Sequence, residues 1–433
     1  MLRLFLLTLM IGGLLVGNEA RGDETGAWFD AHAAELVKVY EHFHAHPELS
    51  FHEKETAARL AEELRTAGFE VTQNVGGHGL VGLLKNGDGP TVMFRTDLDA
   101  LPVIEETGLP YASKVTTKDD SGATVGVMHA CGHDVHITNL IAIARYCAAH
   151  KDQWQGTLML IGQPAEERVD GALGMLRDGL YTRFPKPHFA LALHTDAELA
   201  TGKIGFRGGY ALANSDSCDI VMKGRGGHGS KPDACVDPII QAAQLVVDLQ
   251  SIVSREISPL EPAVVTVGAI HGGTKSNIIP DSCTLKLTLR SYSPDVREKL
   301  KEAVERKAKS IATSHRAPEP TVTFDPGTSA VFNDEGLTAR VVTGFQTELG
   351  KDNVVPAERV MGAEDFGEFK AGGVPIFMFR LGTVPAARLQ EYKEAGSVPP
   401  SLHSSKYHPD PGPTLRTALR ASVAAIRELM PKR

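Results

Sequence analysis

The sequence predicts an α/β protein that carries an inserted α+β unit. Three observations predict it. Short apolar runs alternate with helical patterns across residues 50–193, the pattern changes near Ser217 to a self-contained block, and strand-like runs resume after that block. With 433 residues, 42% of them hydrophobic, the chain can bury more than one core of ordinary size.

Ser50-Phe51-His52-Glu53 has the form of a capping box, and Ala57, Leu60, Ala61 and Leu64 follow at helical spacing until Gly68, so a first helix is expected there. Apolar runs bounded by turns, Leu80 to Leu84, Thr91 to Phe94, Leu158 to Ile161 and Phe189 to Leu193, read as strands. Ile137, Leu140, Ile141, Ala144 and Ala148 mark a helix between the second and third of them. The block from Ser217 to Ala317 reads as strand Cys218 to Met222, a helix capped by Asp237 and opened by Pro238, strands Val264 to Ala269 and Thr284 to Leu289, and helix Val296 to Ile311. Thr321 to Phe324 and Ile376 to Phe379 are expected to return to the first sheet. The implied division is 1–22, 23–212, an insertion at 213–318, and 319–433.

Net charge is -8, and no run of Lys or Arg is able to track a phosphate backbone, which argues against nucleic acid and for a small-molecule ligand. Residues 1–22 have a basic start, the apolar stretch Leu4 to Val16 and small residues after it, the pattern of a secretory signal; an uncleaved membrane anchor is the alternative. Export of the chain is therefore expected. Five cysteines, Cys131, Cys147, Cys218, Cys235 and Cys283, are spread too thinly and are odd in number for a disulfide framework, so at least one free thiol is expected.

The densest chemistry is Met128-His129-Ala130-Cys131-Gly132-His133-Asp134-Val135-His136, with a thiol, three imidazoles and a carboxylate just before a helix. Thiolate and imidazole suit a borderline divalent metal, although a Cys–His catalytic pair and a polar helix entry are the alternatives. Glu166 and Glu167 follow the strand Leu158 to Ile161, where open α/β sheets place their sites. Neighbouring residues in extended chain point in different directions, so one carboxylate can ligate while the other carries a proton. His194 ends another strand run, and Asp97 and Asp99 follow a third.

These segments, together with His46-Pro47-Glu48-Leu49-Ser50-Phe51, Asp97-Leu98-Asp99-Ala100-Leu101-Pro102, Gln163-Pro164-Ala165-Glu166-Glu167, Gly226-Gly227-His228, Gly272-Gly273-Thr274, Asn277-Ile278-Ile279-Pro280 and Gly362-Ala363-Glu364-Asp365-Phe366, resemble the hippurate hydrolase and indole-acetyl-amino-acid hydrolase branch of the aminoacylase and carboxypeptidase-like metallohydrolases. The resemblance spans nearly the whole chain after residue 22. It implies a mixed-sheet catalytic domain of zinc-exopeptidase type with an inserted lid and dimerisation domain. It further implies that Cys131, His133, Glu167, His194 and His403 hold two divalent ions (Mn, Zn, Co or Ni), that Glu166 is the general base, and that lid residue His228 stabilises an oxyanion. Asn277 and Arg290 resemble residues that hold a substrate carboxylate. Asp97, Asp99 and Asp134 are read as residues that orient the ligand histidines. The expected reaction is hydrolysis of an N-acyl amino acid, by a homodimer joined through the lid.

His403 lies in a Pro- and Ser-rich loop where the residues alone indicate a solvated side chain, and His408 in the same loop is its rival. Asp170 stands near Glu167 where the family often has glycine. Three other functions compete: a dipeptidase or carboxypeptidase with the same machinery, a thiol hydrolase using Cys131, and a two-lobed binding protein.

Overall fold

Along Thr91–Asp97, alternating side chains enter two different cores: Val92 and Phe94 join one and Met93 the other, and Leu158, Leu160, Met159 and Ile161 divide in the same way. This strand is therefore the buried middle of a sheet covered on both faces. In the computed structural model, which describes residues 24–432, eight strands form that sheet. Their order is Glu70–Gln73, Leu80–Asn86, Gly156–Gln163, Thr91–Asp97, Phe189–Ala200, Ile376–Val384, Ile204–Phe206 and Val354–Pro356. The third to sixth are parallel, and antiparallel strands flank them on each side.

One face is covered by helices Glu24–Ala45, Lys54–Thr66, His133–Ala149, Glu335–Leu349 and Pro411–Leu429, and the other by the short helices Gly171–Arg177 and Leu180–Arg183 with the 3-10 segment Asp365–Gly373. The first of these, Glu24–Ala45, has no counterpart in the sequence reading. Among the described residues no helix is long and apolar enough to cross a membrane, and all five cysteines are free thiols. The expected leader at residues 1–22 lies outside the described residues.

A second, antiparallel sheet runs Ala263–Gly272, Ser282–Ser291, Asn214–Lys223, Thr321–Phe324. Helices Pro238–Ser251 and Pro294–Ser314 pack on it around a separate core that includes Ile220, Met222, Leu249, Leu285, Leu300 and Val304. Asp237 accepts the Ile239 N–H at 2.8 Å and Ser293 the Val296 N–H at 3.2 Å, so both helices start on capping side chains.

Two expectations need correction. Thr321–Phe324 does not return to the first sheet: it pairs antiparallel with Asn214–Lys223, so the second unit continues past residue 318. A strand's sequence records its pleat but not its partner. The capping box does not form either. The helix begins at Lys54, and Glu48 accepts the N–H groups of Glu55 (3.2 Å) and Thr56 (2.8 Å), while the side chains of Ser50 and Glu53 turn elsewhere.

Candidate metal centre

Three chain segments converge at the carboxyl end of the parallel strands. Gly132, at φ 78°, turns the chain from Cys131 into the helix His133–Ala149, and a Cβ there would lie 2.8 Å from Thr195 Oγ1, so only glycine lets Cys131 and His194 meet. The Cys131 Sγ is 3.6 Å from His194 Nε2. Past Gly156–Gln163, Ala165 takes a left-handed conformation (φ 50°) and turns the chain into the 3-10 segment Glu166–Arg168, which brings Glu166 Oε2 to 3.9 Å and Glu167 Oε1 to 4.0 Å from His133 Nε2. A far loop brings in His403, whose Nε2 is 3.5 Å from Glu167 Oε1 and whose N–H donates to Ala130 O at 2.9 Å. His408 turns away, with its Nε2 3.1 Å from Arg388, which removes it as a rival ligand.

The donor atoms of Cys131, His133 and His194 lie within 4.8 Å of one another, as do those of Cys131, Glu167 and His403. Two triads that share one thiolate are able to hold a pair of neighbouring cations. His133 Nε2 and Glu167 Oε1 are buried with no hydrogen-bond partner, an arrangement a protein tolerates when a cation completes it. His133 Nδ1 is fixed by Asp99 O at 2.8 Å and His194 Nδ1 by Thr195 O at 2.8 Å, which leaves each Nε2 facing the site. These residues fit two divalent ions.

Electrostatics separates the two glutamates. Burial, followed by the negative charges of Glu364, Glu167 and Asp365, holds the Glu166 carboxyl well above the usual range despite Arg95. Glu167 is raised to about 7, chiefly by burial, with His133 opposing. Burial and the charges of Glu167, Glu166 and Asp97 push the Cys131 thiol up, the reverse of what an activated thiol nucleophile needs, and burial lowers His194 to about 3. The thiol-hydrolase reading therefore loses its chemistry, whereas a coordinated thiolate is stabilised by the cation itself.

A cavity of about 640 Å³ opens beside these groups. Its wall includes Leu212, Val360, Met361 and Met378 together with Arg290 from the inserted unit. Burial lowers the Arg290 guanidinium against the pull of the Asp216 charge, and among the described residues no carboxylate lies in direct ion-pair contact with it. His228 and Asn277 do not line this cavity. They sit together on the ribbon Gly227–His228 and Ile278–Ile279, exposed, where Asn277 O accepts the Gly229 N–H and His228 Nδ1 accepts from Ser230. Asp170 is on the surface, 3.3 Å from Arg177, and is not part of the cavity wall.

The supporting acids divide differently from the expectation. Asp99 orients His133 through its backbone carbonyl, and its carboxylate accepts the Glu167 N–H at 3.0 Å. Asp97 accepts from His136 at 2.7 Å, and His136 Nε2 in turn accepts the Thr195 N–H, so it steadies His194 at one remove. Asp134 orients no ligand: its carboxylate pairs with His44, because the helix start points it at Glu24–Ala45. Sequence reasoning places His136 and the pair Glu364 and Asp365 within motifs but gives them no role, and it passes over His44 and Arg95. Arg95, fully buried in an apolar strand and bonded to Asp97, Glu364 and Gln163, was the detectable signal, since a strand buries a guanidinium only to hold acids.

Fold and site together define a dinuclear metallohydrolase. Residues 93–398 match the model of peptidase family M20/M25/M40, and the chain belongs to that family. Hippurate hydrolase of Campylobacter jejuni is 40% identical over 345 residues, 77% of this chain and 85% of that protein. Thermostable carboxypeptidase 1 of Saccharolobus solfataricus is 34% identical over 400 residues, 90% of this chain and 95% of that one. A crystal structure described as a dinuclear metal binding peptidase of the M20 family, from Bacillus subtilis, superposes with a TM-score of 0.75 at 28% identity, covering 92% of this chain and 98% of that one.

Proposed function

We propose that the chain hydrolyses the amide bond of N-acyl amino acids, releasing a carboxylic acid and a free amino acid. The observation that carries this reading is the pair of donor triads sharing Cys131, which faces one cavity with Glu166 and an unpaired Arg290. Divalent cations held there would supply acidification of a water and polarisation of the scissile carbonyl. Glu166, kept basic by burial and by its acidic neighbours, takes the water's proton and later delivers it to the leaving amine. Arg290 offers a planar fork to the substrate carboxylate, and Leu212, Val360, Met361 and Met378 form an apolar wall for the acyl group. The thiolate and imidazole donors favour zinc or cobalt, with manganese and nickel as the other candidates.

A second reading, carboxypeptidase, is favoured by the relative of that name and by the same Arg290, which serves a peptide's terminal carboxylate equally well. Supplying hippurate, N-acetyl amino acids and dipeptides to the same preparation distinguishes them: turnover confined to dipeptides would replace the first reading by the second.

The protein acts as a homodimer through its inserted unit. Ala263–Gly272 is an edge strand, and Ile240, Val247, Leu260, Ile270 and Ile278 leave exposed apolar surface on the same unit. His228 and Asn277, remote from the cavity of their own chain, then serve the partner's cavity. Export follows from the pattern of residues 1–22 and is tested by finding the mature chain outside the cytoplasm.

A further inference from the structure

The apparent capping box at Ser50 and Glu53 performs another task. Glu53 is fully buried, and its Oε1 accepts two N–H groups: that of Phe51 at 2.9 Å and, across the fold, that of Ala165 at 2.7 Å. Ala165 is the left-handed residue immediately before Glu166. Ser50 Oγ donates to Asp99 Oδ2 at 2.6 Å, and that same oxygen accepts the Glu167 N–H at 3.0 Å. The helix that these residues precede is served instead by Glu48, so neither side chain is needed for the cap.

Between them Phe51 adopts φ 67° while half-exposed, a strained conformation for a bulky residue that persists only where surrounding bonds over-determine it. The far end of the same loop is fixed too, by Asp365 Oδ2 accepting the Ala172 N–H at 3.0 Å. Three buried carboxylates from three different segments thus hold the chain at Ala165, at Glu167 and at the start of helix Gly171–Arg177. Backbone N–H groups cannot move without carrying the side chains of their own peptides with them.

We infer that Ser50 and Glu53 are positioning residues of the reaction, Glu53 aiming Glu166 through the Ala165 N–H and Ser50 placing Glu167 through Asp99. The inference rests on the proposed roles of Glu166 as proton carrier and Glu167 as ligand. It makes the two halves of the clamp separable. Loosening Ala165 disturbs the proton carrier and spares the cations, whereas loosening Asp99 disturbs a ligand.

The test uses the full chain stripped with chelator and reloaded with cobalt(II), comparing Glu53→Ala, Glu53→Gln and Ser50→Ala with the unaltered protein. Cobalt affinity is read by chelator competition, its coordination by visible absorption, and turnover as kcat and KM separately. Glu53→Ala is expected to keep the cobalt spectrum and KM while kcat falls by roughly ten- to a hundredfold. Glu53→Gln, whose amide oxygen can accept the same N–H groups, recovers most of that loss. Ser50→Ala weakens cobalt binding by about tenfold and shifts its spectrum.

Folded Glu53→Ala with kcat within about twofold of the unaltered protein, or Glu53→Gln no better than Glu53→Ala, would overturn the Glu53 half. An unchanged cobalt spectrum and affinity in Ser50→Ala would overturn the other, and that variant decides the matter if Glu53→Ala does not fold, since it removes a single half-buried hydroxyl. An unaltered protein that binds cobalt yet turns over nothing, with Ser50→Ala still weakening cobalt, would sink the proposed function and leave the clamp standing.

Discussion

Replacing Glu166 by Gln separates catalysis from assembly more sharply than any other single change. The side chain is 7% exposed and packed among acids, with Oε2 3.9 Å from His133 Nε2. An amide of equal size fills the same space and cannot accept a proton from water. General-base assistance is worth about 10²–10⁴ in rate, or roughly 3–5 kcal/mol of barrier, and kcat should fall by that factor while the protein still binds two ions. The same environment predicts an effect of opposite sign on stability. A carboxyl held above its unfolded value by burial and by Glu364, Glu167 and Asp365 costs the fold stability at neutral pH, where the unfolded chain would ionise it freely. Metal-stripped Glu166→Gln should therefore melt higher than the metal-stripped original. Kinetics on the reloaded protein and calorimetry on the stripped one make the comparison. A variant that keeps more than about a tenth of kcat, or melts lower when stripped, would refute the reasoning about this residue.

Cys131→Ser should bind fewer than two ions, because both donor triads contain that thiolate, and metal analysis after gel filtration checks it. Arg290→Ala should raise KM for N-acyl amino acids with little change in kcat, as expected for a residue that binds the carboxylate equally in ground and transition states. Burial opposes a charge on His44, but hydrogen bonds to Asp134 and Glu105 outweigh it and raise its pKa to about 9. Its contribution, at most about 3 kcal/mol, is complete below the unfolded value near 6.5 and disappears as pH rises through about 9, so urea midpoints should fall over that interval in the original protein and not in His44→Gln. Mixing Glu166→Ala with His228→Ala subunits should restore roughly a quarter of the activity if His228 serves the partner's cavity, because half of the chains pair across type and one of their two cavities is intact.

Much of this architecture is legible in the sequence because its signals are local. Thr91–Asp97 and Gly156–Gln163 show themselves as buried runs, and Asp237-Pro238 announces a helix start that forms as read. Glu166 and Glu167 are found past the end of a strand run and His194 after the apolar part of another, while Cys131 and His133 stand out as a thiol and imidazole cluster opening a helix.

What stayed hidden depends on distant partners. Ser50 and Glu53 satisfy the local pattern of a capping box, yet bonds to Asp99 and Ala165, remote in sequence, won over the helix terminus. Asp134 follows a ligand histidine but points to His44 on another helix. Nothing in Thr321–Phe324 itself distinguishes a place beside Asn214–Lys223 from one in the first sheet. The residues around His403 and His408 do not separate them; the resemblance favours His403, and the fold brings His403 to Glu167.

The central claim is metal-dependent cleavage of an N-acyl amino acid, and the most direct measurement is amino acid release from hippurate and a panel of N-acetyl amino acids by chelator-stripped protein before and after resupply of Zn, Mn, Co or Ni. The account predicts no release from the stripped protein and release restored by at least one of these ions. Release that persists without metal, or none with any ion despite two bound per chain, would contradict it.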